Sequence, residues 1–173
     1  FLYSPEHKGV FPEPIAANKV LPSFYKSLKP QSNDSVKSST AKRCIPFLEA
    51  ASAGYIIPLW ADLEVNANNG ELSLTFPDGL PMSESLGQHG IEQLKGYPLE
   101  GKPYGSSLIK FINPWTIETP EGYSCMFMSP MNHFETRFKI IDGIVDTDNY
   151  YNPVNFPFVW PGGDGSFFIP QGT

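Results

Sequence analysis

Residues 143–148 of this chain have the sequence Gly-Ile-Val-Asp-Thr-Asp, in which three aliphatic or small residues precede two carboxylates. If the segment is a strand, Asp146 and Asp148 lie on one face; if it is a strand end, they flank a turn. Three strand-like runs surround it, at residues 106–113, 123–129 and 154–160. Each run is rich in β-branched, aromatic or long apolar residues and is bounded by Pro, Gly or Asn, which is typical of strands joined by turns. This part of the sequence therefore predicts a β-rich domain.

Two short segments in the same region predict turns. In residues 120–123, Pro120 suits the second position of a β-turn and Gly122 supplies the position with positive φ. Residues 162–165 (Gly-Gly-Asp-Gly) lie between two strand-like runs, of which the second is residues 167–169. Because a phosphate-binding loop needs a following helix, these glycines are interpreted as a hairpin turn.

The N-terminal part predicts an arm and then a helix. Residues 1–40 contain five prolines and a polar, Ser-rich stretch, so we interpret them as an extended arm and linker. A short helix is expected within the arm at residues 22–28, with Ser23 as its cap. Residues 41–173 are predicted to form one β-rich domain with a short helix at about 45–53. In that helix Pro46 suits the first turn, residues 47, 48 and 51 form an apolar stripe, and Gly54 suits the left-handed position after its end.

Residues 55–76 predict a β-hairpin. Residues 55–65 form a strand in which Pro58 implies an edge position or a bulge, residues 66–70 form the turn, and residues 71–76 alternate between polar and apolar. Residues 77–103 have only weak patterning and are too long for an ordinary connection. We therefore expect a functional excursion or a loop at a subunit contact there.

Composition narrows both the fold class and the function. A chain of 173 residues and 19.2 kDa suits one packed domain, and its 18 prolines and 15 glycines favour many short strands, so the predicted class is mainly β.

A net charge of −6 argues against general nucleic-acid binding, which depends on Lys and Arg placed opposite phosphates. The local basic group of Lys37, Lys42 and Arg43 is interpreted as a solvated helix start. There is no apolar run of about 18 residues and no signal-like segment, so neither a membrane span nor secretion through a signal peptide is expected.

Metal binding has little support in the sequence. His7, His89 and His133 stand far apart, and none has a second His or Cys at the spacing of metal ligands. The three aspartates at 142, 146 and 148 lack the Gly and terminal Glu of a calcium loop. We therefore predict no metal site. Cys44 and Cys125 are isolated and are interpreted as reduced thiols, with Cys125 inert within an apolar strand.

Two features remain as candidates for chemistry. Asp146 ends an apolar run, where a carboxylate either orients and deprotonates a water molecule or caps a tight turn, which is the commoner use of Asp. The aromatic crowding at residues 150–160 either packs in a sheet core or a subunit interface, or it stacks on a base or a sugar. Under the sugar-binding alternative the rings are Trp115, Tyr151 and Trp160.

Four segments of the chain resemble the dUTPase and dCTP-deaminase superfamily. Residues 52–55 (Ser-Ala-Gly-Tyr) look like the start of its first motif, and residues 119–123 look like its Ile-Pro-x-Gly-Tyr turn, with Pro130 near the place of its Pro-Arg-Ser-Gly motif. Residues 143–148 are similar to its Gly-Val-Ile-Asp-x-Asp-Tyr hairpin, and residues 169–172 resemble its Ile-x-x-Gly. The resemblance implies a β-clip, jelly-roll-like single domain that forms a trimer.

The same resemblance assigns a site and shows where this chain departs from it. Asp146 matches the water-activating Asp of the family, but Met131 and Asn132 stand where its Arg and Ser bind phosphates. Ile56 replaces its first-motif Asp, and Asn149 replaces its Tyr, with Tyr150 displaced by one position. Loss of these charge-assisted phosphate bonds implies that the enzymatic activity is gone while the scaffold is kept.

The chain also resembles a family of uncharacterised proteins of marine bacteriophages and bacteria, through residues 42–59 and 111–158. We therefore expect a non-catalytic, self-associating structural protein, in a virion or the cytoplasm of an infected cell, with other virion proteins as partners and no cofactor. The alternative is a dUTPase-like nucleotide-binding or nucleotide-hydrolysing protein. In that case Asp146 is catalytic, Asn132, Asp148 and Tyr150 bind the ligand, and Mg²⁺ accompanies the nucleotide. The second alternative is a jelly-roll that binds a carbohydrate or another small molecule.

Overall fold

The computed structural model of the chain describes residues 1–32, 38–80, 85–94 and 107–173. Within those residues the chain forms eleven β-strands, all paired antiparallel, and two short α-helices. The strands are β1 (Ile15–Ala16), β2 (Tyr55–Ile56), β3 (Leu63–Asn68), β4 (Glu71–Thr75), β5 (Leu86–Gly90), β6 (Ser107–Phe111), β7 (Cys125–Phe127), β8 (Lys139–Ile140), β9 (Gly143–Val145), β10 (Phe156–Val159) and β11 (Gly165–Ile169), and the helices are α1 (Ser23–Ser27) and α2 (Ile45–Ala51). The mainly β class is confirmed, and the three strand-like runs and the last strand are present as β6, β7, β10 and β11.

The chain divides into two compact units. The first comprises Phe1–Pro12, Pro58–Ser129 and Glu135–Thr173, and the second comprises Glu13–Ile57 and Pro130–Phe134. The residues predicted as an N-terminal arm are therefore distributed over both units, and α2, the helix expected at about 45–53, belongs to the second.

Two antiparallel sheets and a separate ribbon make up the first unit. The first sheet has the strand order β5-β6-β10-β8, the second has the order β11-β3-β4, and β7 and β9 form a two-stranded ribbon. Both sheets contribute side chains to one buried cluster, for example Phe111 and Phe158 from the first sheet and Val65 from the second. Phe111 stacks on Phe158 with ring centroids 4.3 Å apart, and Trp60 meets Phe111 edge to face at 5.8 Å. Such pairs stabilise a core beyond the area that they bury.

The hairpin of β3 and β4 is confirmed, with a tighter turn than expected. Along β3, buried and exposed residues alternate, so Leu63, Val65 and Ala67 face the core. Pairing continues to the end of β3, and only Asn69 and Gly70 form the turn, both with positive φ (47° and 89°). Asn-Gly is the favoured pair for a two-residue turn of this kind.

The single strand predicted at residues 55–65 is wrong. The segment forms β2, which pairs with β1 in the second unit, and β3, which begins only at Leu63 in the first. Pro58 lies between them, at the boundary of the two units. Proline cannot donate to a strand ladder, so it marks an interruption here, not an edge position in one strand.

The hairpin predicted at residues 162–165 is also wrong, because the flanking strands lie in different sheets. β10 pairs with β6 and β8, whereas β11 pairs with β3. The glycines carry the chain from one sheet to the other: Gly163 has a φ of 75°, and its carbonyl accepts a hydrogen bond from Trp160 Nε1 at 3.0 Å. At Gly162 a Cβ would lie 3.0 Å from the Trp160 ring. Close backbone approach therefore favours glycine there.

Strand β5 lies in the stretch for which the sequence predicted only an excursion. It pairs with β6 over five residue positions, from Leu86 opposite Phe111 to Gly90 opposite Ser107. Part of the predicted excursion lies outside the described residues. Lys37 of the predicted basic group also lies outside them. Glycine-rich segments have a weak intrinsic preference for the strand conformation, so the pairing with β6 is what makes residues 86–90 a strand.

Pairing of β11 with β3 joins distant parts of the chain. Ser166 Oγ and Asn66 Oδ1, which are 100 residues apart, lie within 2.6 Å. Beyond β11, Gly172 N donates to the Leu59 carbonyl at 2.8 Å and Leu59 N donates to the Thr173 carbonyl at 2.9 Å. The central strand of the second sheet therefore depends on the final residues of the sequence.

The second unit is held by aromatic packing. Tyr25 of α1 is buried and stacks on Phe47 of α2 at 5.4 Å between centroids, and Lys42 Nζ lies 4.6 Å above the Tyr25 ring while donating to the Tyr25 carbonyl. Pro46 occupies the first turn of α2, as predicted. The predicted Ser23 cap is wrong: Pro22 is the N-cap residue of α1, and no side chain caps that helix.

Candidate functional site

The two aspartates of residues 143–148 lie in a turn and not on a strand. Strand β9 ends at Val145, and the turn that follows is closed by a hydrogen bond from Asn149 N to the Asp146 carbonyl at 3.0 Å. Thr147 N donates to the Val145 carbonyl at 2.9 Å. Of the two arrangements that the sequence allowed, the structure has the strand end. We call residues 146–149 the aspartate turn.

The predicted turn at residues 120–123 is present with a shifted register. Tyr123 N donates to the Pro120 carbonyl at 3.2 Å, and Gly122 has a φ of 83°. Glycine therefore fills the third position, as the positive φ requires. Pro120 occupies the first position, not the second, which corrects the expectation that its ring fixes the second residue. We call residues 120–123 the proline turn.

The aspartate turn and the proline turn are joined by hydrogen bonds. Gly122 N donates to Asp148 Oδ2 at 2.8 Å, and Thr119 N donates to the Thr147 carbonyl at 3.4 Å. Thr147 is fully buried, and its hydroxyl lies 2.8 Å from that of Thr119. Thr119 Oγ1 also donates to the Tyr123 carbonyl at 2.8 Å. These contacts fix the two turns against each other.

Asp146 takes part in the same arrangement. Ser124 Oγ donates to Asp146 Oδ1 at 2.7 Å, and the carboxylate is solvent-exposed. In the part of the chain that the structure describes, no His, Lys or Arg side chain is hydrogen-bonded to it. Asp148 Oδ1 accepts a further bond from Asn149 Nδ2 at 3.0 Å. Both carboxylates thus satisfy neighbouring donors within the turns.

The remaining predicted ligand-binding residues lie as follows. Tyr150 follows the aspartate turn in the first unit and is exposed. Asn132 belongs to the second unit, where its side-chain amide donates to the Phe47 carbonyl at 3.2 Å and its φ is 60°. Asp146, Asp148 and Tyr150 are therefore neighbours along one turn, and Asn132 has a partner in its own unit.

Two of the three rings proposed to bind a sugar are not available for stacking. Trp115 and Trp160 are only 4% and 2% exposed, and Trp160 belongs to the core cluster. Of that set only Tyr151 is exposed. Burial explains both tryptophans, so the expectation that Trp115 and Trp160 stack on a sugar is wrong.

Other candidate groups do not assemble into a reactive site. No cluster of three or more His, Cys, Asp or Glu that could hold a metal occurs among the described residues. His89 lies on β5, where burial and the nearby Lys110 lower its pKa from the usual 6.5. Cys125 lies in β7, and its Sγ is 3.3 Å from Thr147 Oγ1, so it belongs to the packing beneath the two turns.

An exposed apolar surface on the ribbon was not predicted from the sequence. Met126 of β7 and Ile144 of β9 stand directly opposite each other, and they are 64% and 68% exposed. Met128 follows β7 and is exposed as well. We call Met126, Met128 and Ile144 the ribbon face. One sequence feature could have indicated this surface: residues 125–128 are all apolar and do not alternate with polar residues. That pattern is typical of strands covered on both faces.

Comparison of the chain with protein-family models, with curated proteins and with solved structures found no match. Over the described residues, none of the helices has the length and apolar character needed to cross a bilayer. Function must therefore be argued from the residues of this chain.

Proposed function

We propose that this protein is a non-catalytic structural or interaction protein that associates with copies of itself, built on a fold of the β-clip, jelly-roll-like type. The observation that carries the proposal is the ribbon face. Met126 and Ile144 form a directly opposed cross-strand pair whose side chains point to solvent. Covering apolar surface contributes about 25 cal/mol per Å² of area removed from water, so such a pair favours a partner.

The bonding of the carboxylates supports a structural use of the region. Asp148 accepts from the backbone of Gly122, and Asp146 accepts from Ser124, so both serve to connect the aspartate turn with the strand and turn beside it. A general base needs an oxygen directed at a substrate proton. Here the turns that resemble nucleotide-site motifs stabilise the end of the ribbon.

The arrangement of the motif-like segments supports the β-clip type. Two segments that carry the resemblance lie side by side in the ribbon. Residues 119–123 lead into β7, residues 143–148 contain β9, and these two strands pair with each other. The resemblance implies a trimer, and the likeness to phage proteins implies a larger particle such as a virion. Both extend the proposal of self-association.

Mass in solution tests the proposal. Light scattering after size exclusion, over a wide range of protein concentration, is expected to give a multiple of 19.2 kDa. A Met126→Gln variant is expected to shift the equilibrium towards the monomer. The matched control is Phe168→Gln, because Phe168 is similarly exposed but lies on β11, away from the ribbon strands. A wild-type chain that stays monomeric at all concentrations would overturn the proposed function.

A further inference from the structure

We propose that the chain assembles head to tail, with the ribbon face of one copy docking on the exposed side of helix α2 of another copy. The inference rests on the proposed self-association and specifies its surfaces. It concerns contacts between two molecules, and a second copy of this chain is the partner.

Helix α2 carries another exposed apolar surface. Its Phe47 stacks on Tyr25 and its Ala51 is buried, so these residues face the interior of the second unit. Ile45 and Leu48, one helical turn apart, face solvent instead, and Ile45 is 67% exposed. We call these two residues the helix face. Leu48 was predicted to form one apolar stripe with residues 47 and 51, but it faces solvent whereas Ala51 is buried.

The two units that carry the faces differ in charge. Asp142 and Asp146 flank β9 on either side and are exposed, and the ribbon face lies in a unit whose sequence has fifteen acidic and six basic residues. Arg43 lies just before α2 and is exposed, and the unit of the helix face has six basic and three acidic residues. Opposite charges around two apolar surfaces steer them together and disfavour contacts between like surfaces.

Symmetry agrees with this assignment. A two-fold contact of the ribbon face with itself would bring Asp142 and Asp146 of one copy towards the same carboxylates of the other, at an electrostatic cost. A contact between unlike surfaces avoids that repulsion. Repeated contacts of this kind close into a ring if the rotation permits, and a trimer is such a ring.

A mixing experiment tests the docking. The ribbon variant Met126→Gln retains a native helix face, and the helix variant Ile45→Gln retains a native ribbon face. Each variant alone is expected to be monomeric, because each lacks one half of the contact. Mixed in equal amounts, they are expected to form a heterodimer through the one contact that both halves still support, with a dissociation constant close to that of a single wild-type contact.

The outcomes separate this inference from the proposed function. If the wild-type chain does not associate, the proposed function fails. If it associates but the mixture remains monomeric, or if Ile45→Gln assembles normally, head-to-tail docking fails while self-association stands. Phe168→Gln is the control that should assemble as wild type, and unchanged near-ultraviolet circular dichroism and melting temperature of each variant establish that its fold is intact.

Discussion

The backbone N–H of Gly122 donates to the side-chain Oδ2 of Asp148 at 2.8 Å, across a sequence separation of 26 residues. This bond and the contact between Thr119 and Thr147 hold the proline turn on the aspartate turn. The two turns lie at one end of the ribbon, whose strands form no ladder with either sheet. Since an isolated two-stranded ribbon is marginally stable, the bonds between the turns stabilise it.

Replacement of Asp148 by alanine should therefore destabilise the fold. The variant leaves Gly122 N without its charged acceptor, and we expect a loss of about 1–2 kcal/mol in the free energy of unfolding. Urea denaturation followed by circular dichroism measures the change. Asp142→Ala, which removes another carboxylate next to the ribbon, is the control and should change stability by less than about 0.5 kcal/mol.

The buried hydroxyl of Thr147 is expected to act as a unit with that of Thr119. Thr147→Val keeps the shape but removes the hydroxyl that contacts Thr119 Oγ1, at a cost of about 1–2 kcal/mol. The double variant with Thr119→Val should cost less than the sum of the two single variants, because the contact is already lost. A double-mutant cycle in urea measures the coupling, and strict additivity would show that the two hydroxyls do not interact.

Glu135 and Arg137 should make stability depend on pH. Arg137 Nη2 lies 2.7 Å from Glu135 Oε2, and Nε lies 2.9 Å from Oε1, so these hydrogen bonds hold the pKa of Glu135 below its usual 4.5. A carboxyl with a lowered pKa in the folded state stabilises the fold above its unfolded pKa, and this contribution is lost as the pH falls through the folded pKa.

At neutral pH, Glu135→Gln is therefore expected to lower the free energy of unfolding by about 0.5–1 kcal/mol, a modest value because the pair is partly exposed. The difference from wild type should shrink as the pH decreases from 4.5 through the lowered pKa of Glu135. Chemical denaturation over a series of pH values measures it. A difference that persists at a pH where both proteins carry a neutral side chain at position 135 would contradict the assignment.

Deoxynucleoside triphosphates are expected not to stabilise the protein. Under the resemblance to the dUTPase superfamily, Met131 and Asn132 stand where Arg and Ser would bind phosphates, and Asn132 donates instead to the Phe47 carbonyl. A thermal-shift series with each triphosphate and Mg²⁺ tests this. Stabilisation by about 2.7 kcal/mol, which corresponds to a ligand at about 100 times its Kd, would instead support a nucleotide site. If Asp146→Asn then abolished the effect, Asp146 would be part of that site.

Self-association should weaken as salt concentration increases. The proposed contact joins the ribbon face, which is flanked by acidic residues, to the helix face in the basic unit. Salt screens the electrostatic attraction between them beyond about 10 Å at 0.1 M and about 3 Å at 1 M. The apolar part of the contact remains, so association should persist with a higher dissociation constant. Sedimentation equilibrium at several salt concentrations measures this. Tighter association at high salt would indicate a contact between like-charged surfaces.

Local signals in the sequence were reliable where short-range chemistry determines the structure. Asn69-Gly70 specifies a two-residue turn because both residues tolerate positive φ, and Gly122 specifies its position in the proline turn for the same reason. Long-range pairing was not accessible in this way. The glycines at 162–165 permit a sharp turn but do not determine whether the next strand returns to the same sheet. Likewise, residues 86–90 form strand β5 because they pair with β6.

The ribbon face could not be derived for a related reason. From the sequence, Met126 and Ile144 look like core residues. An apolar residue in a strand predicts burial, but it does not indicate which part of the protein, or which other molecule, covers it. Their exposure depends on how the ribbon packs. The roles of the carboxylates were open as well, since Asp at a strand end serves both chemistry and turn formation. The structure adds the donors that these carboxylates accept from, which are Gly122 N for Asp148 and Ser124 Oγ for Asp146.

The pairing of β11 with β3 also constrains how this protein folds during synthesis. Strand β3 emerges from the ribosome about a hundred residues before its partner, as the contact between Asn66 and Ser166 requires. Until β11 appears, one edge of β3 has no native partner, and unpaired edges of this kind promote aggregation. We therefore expect slow folding of the first unit, in keeping with its non-local contacts, and a benefit from chaperones that shield nascent chains.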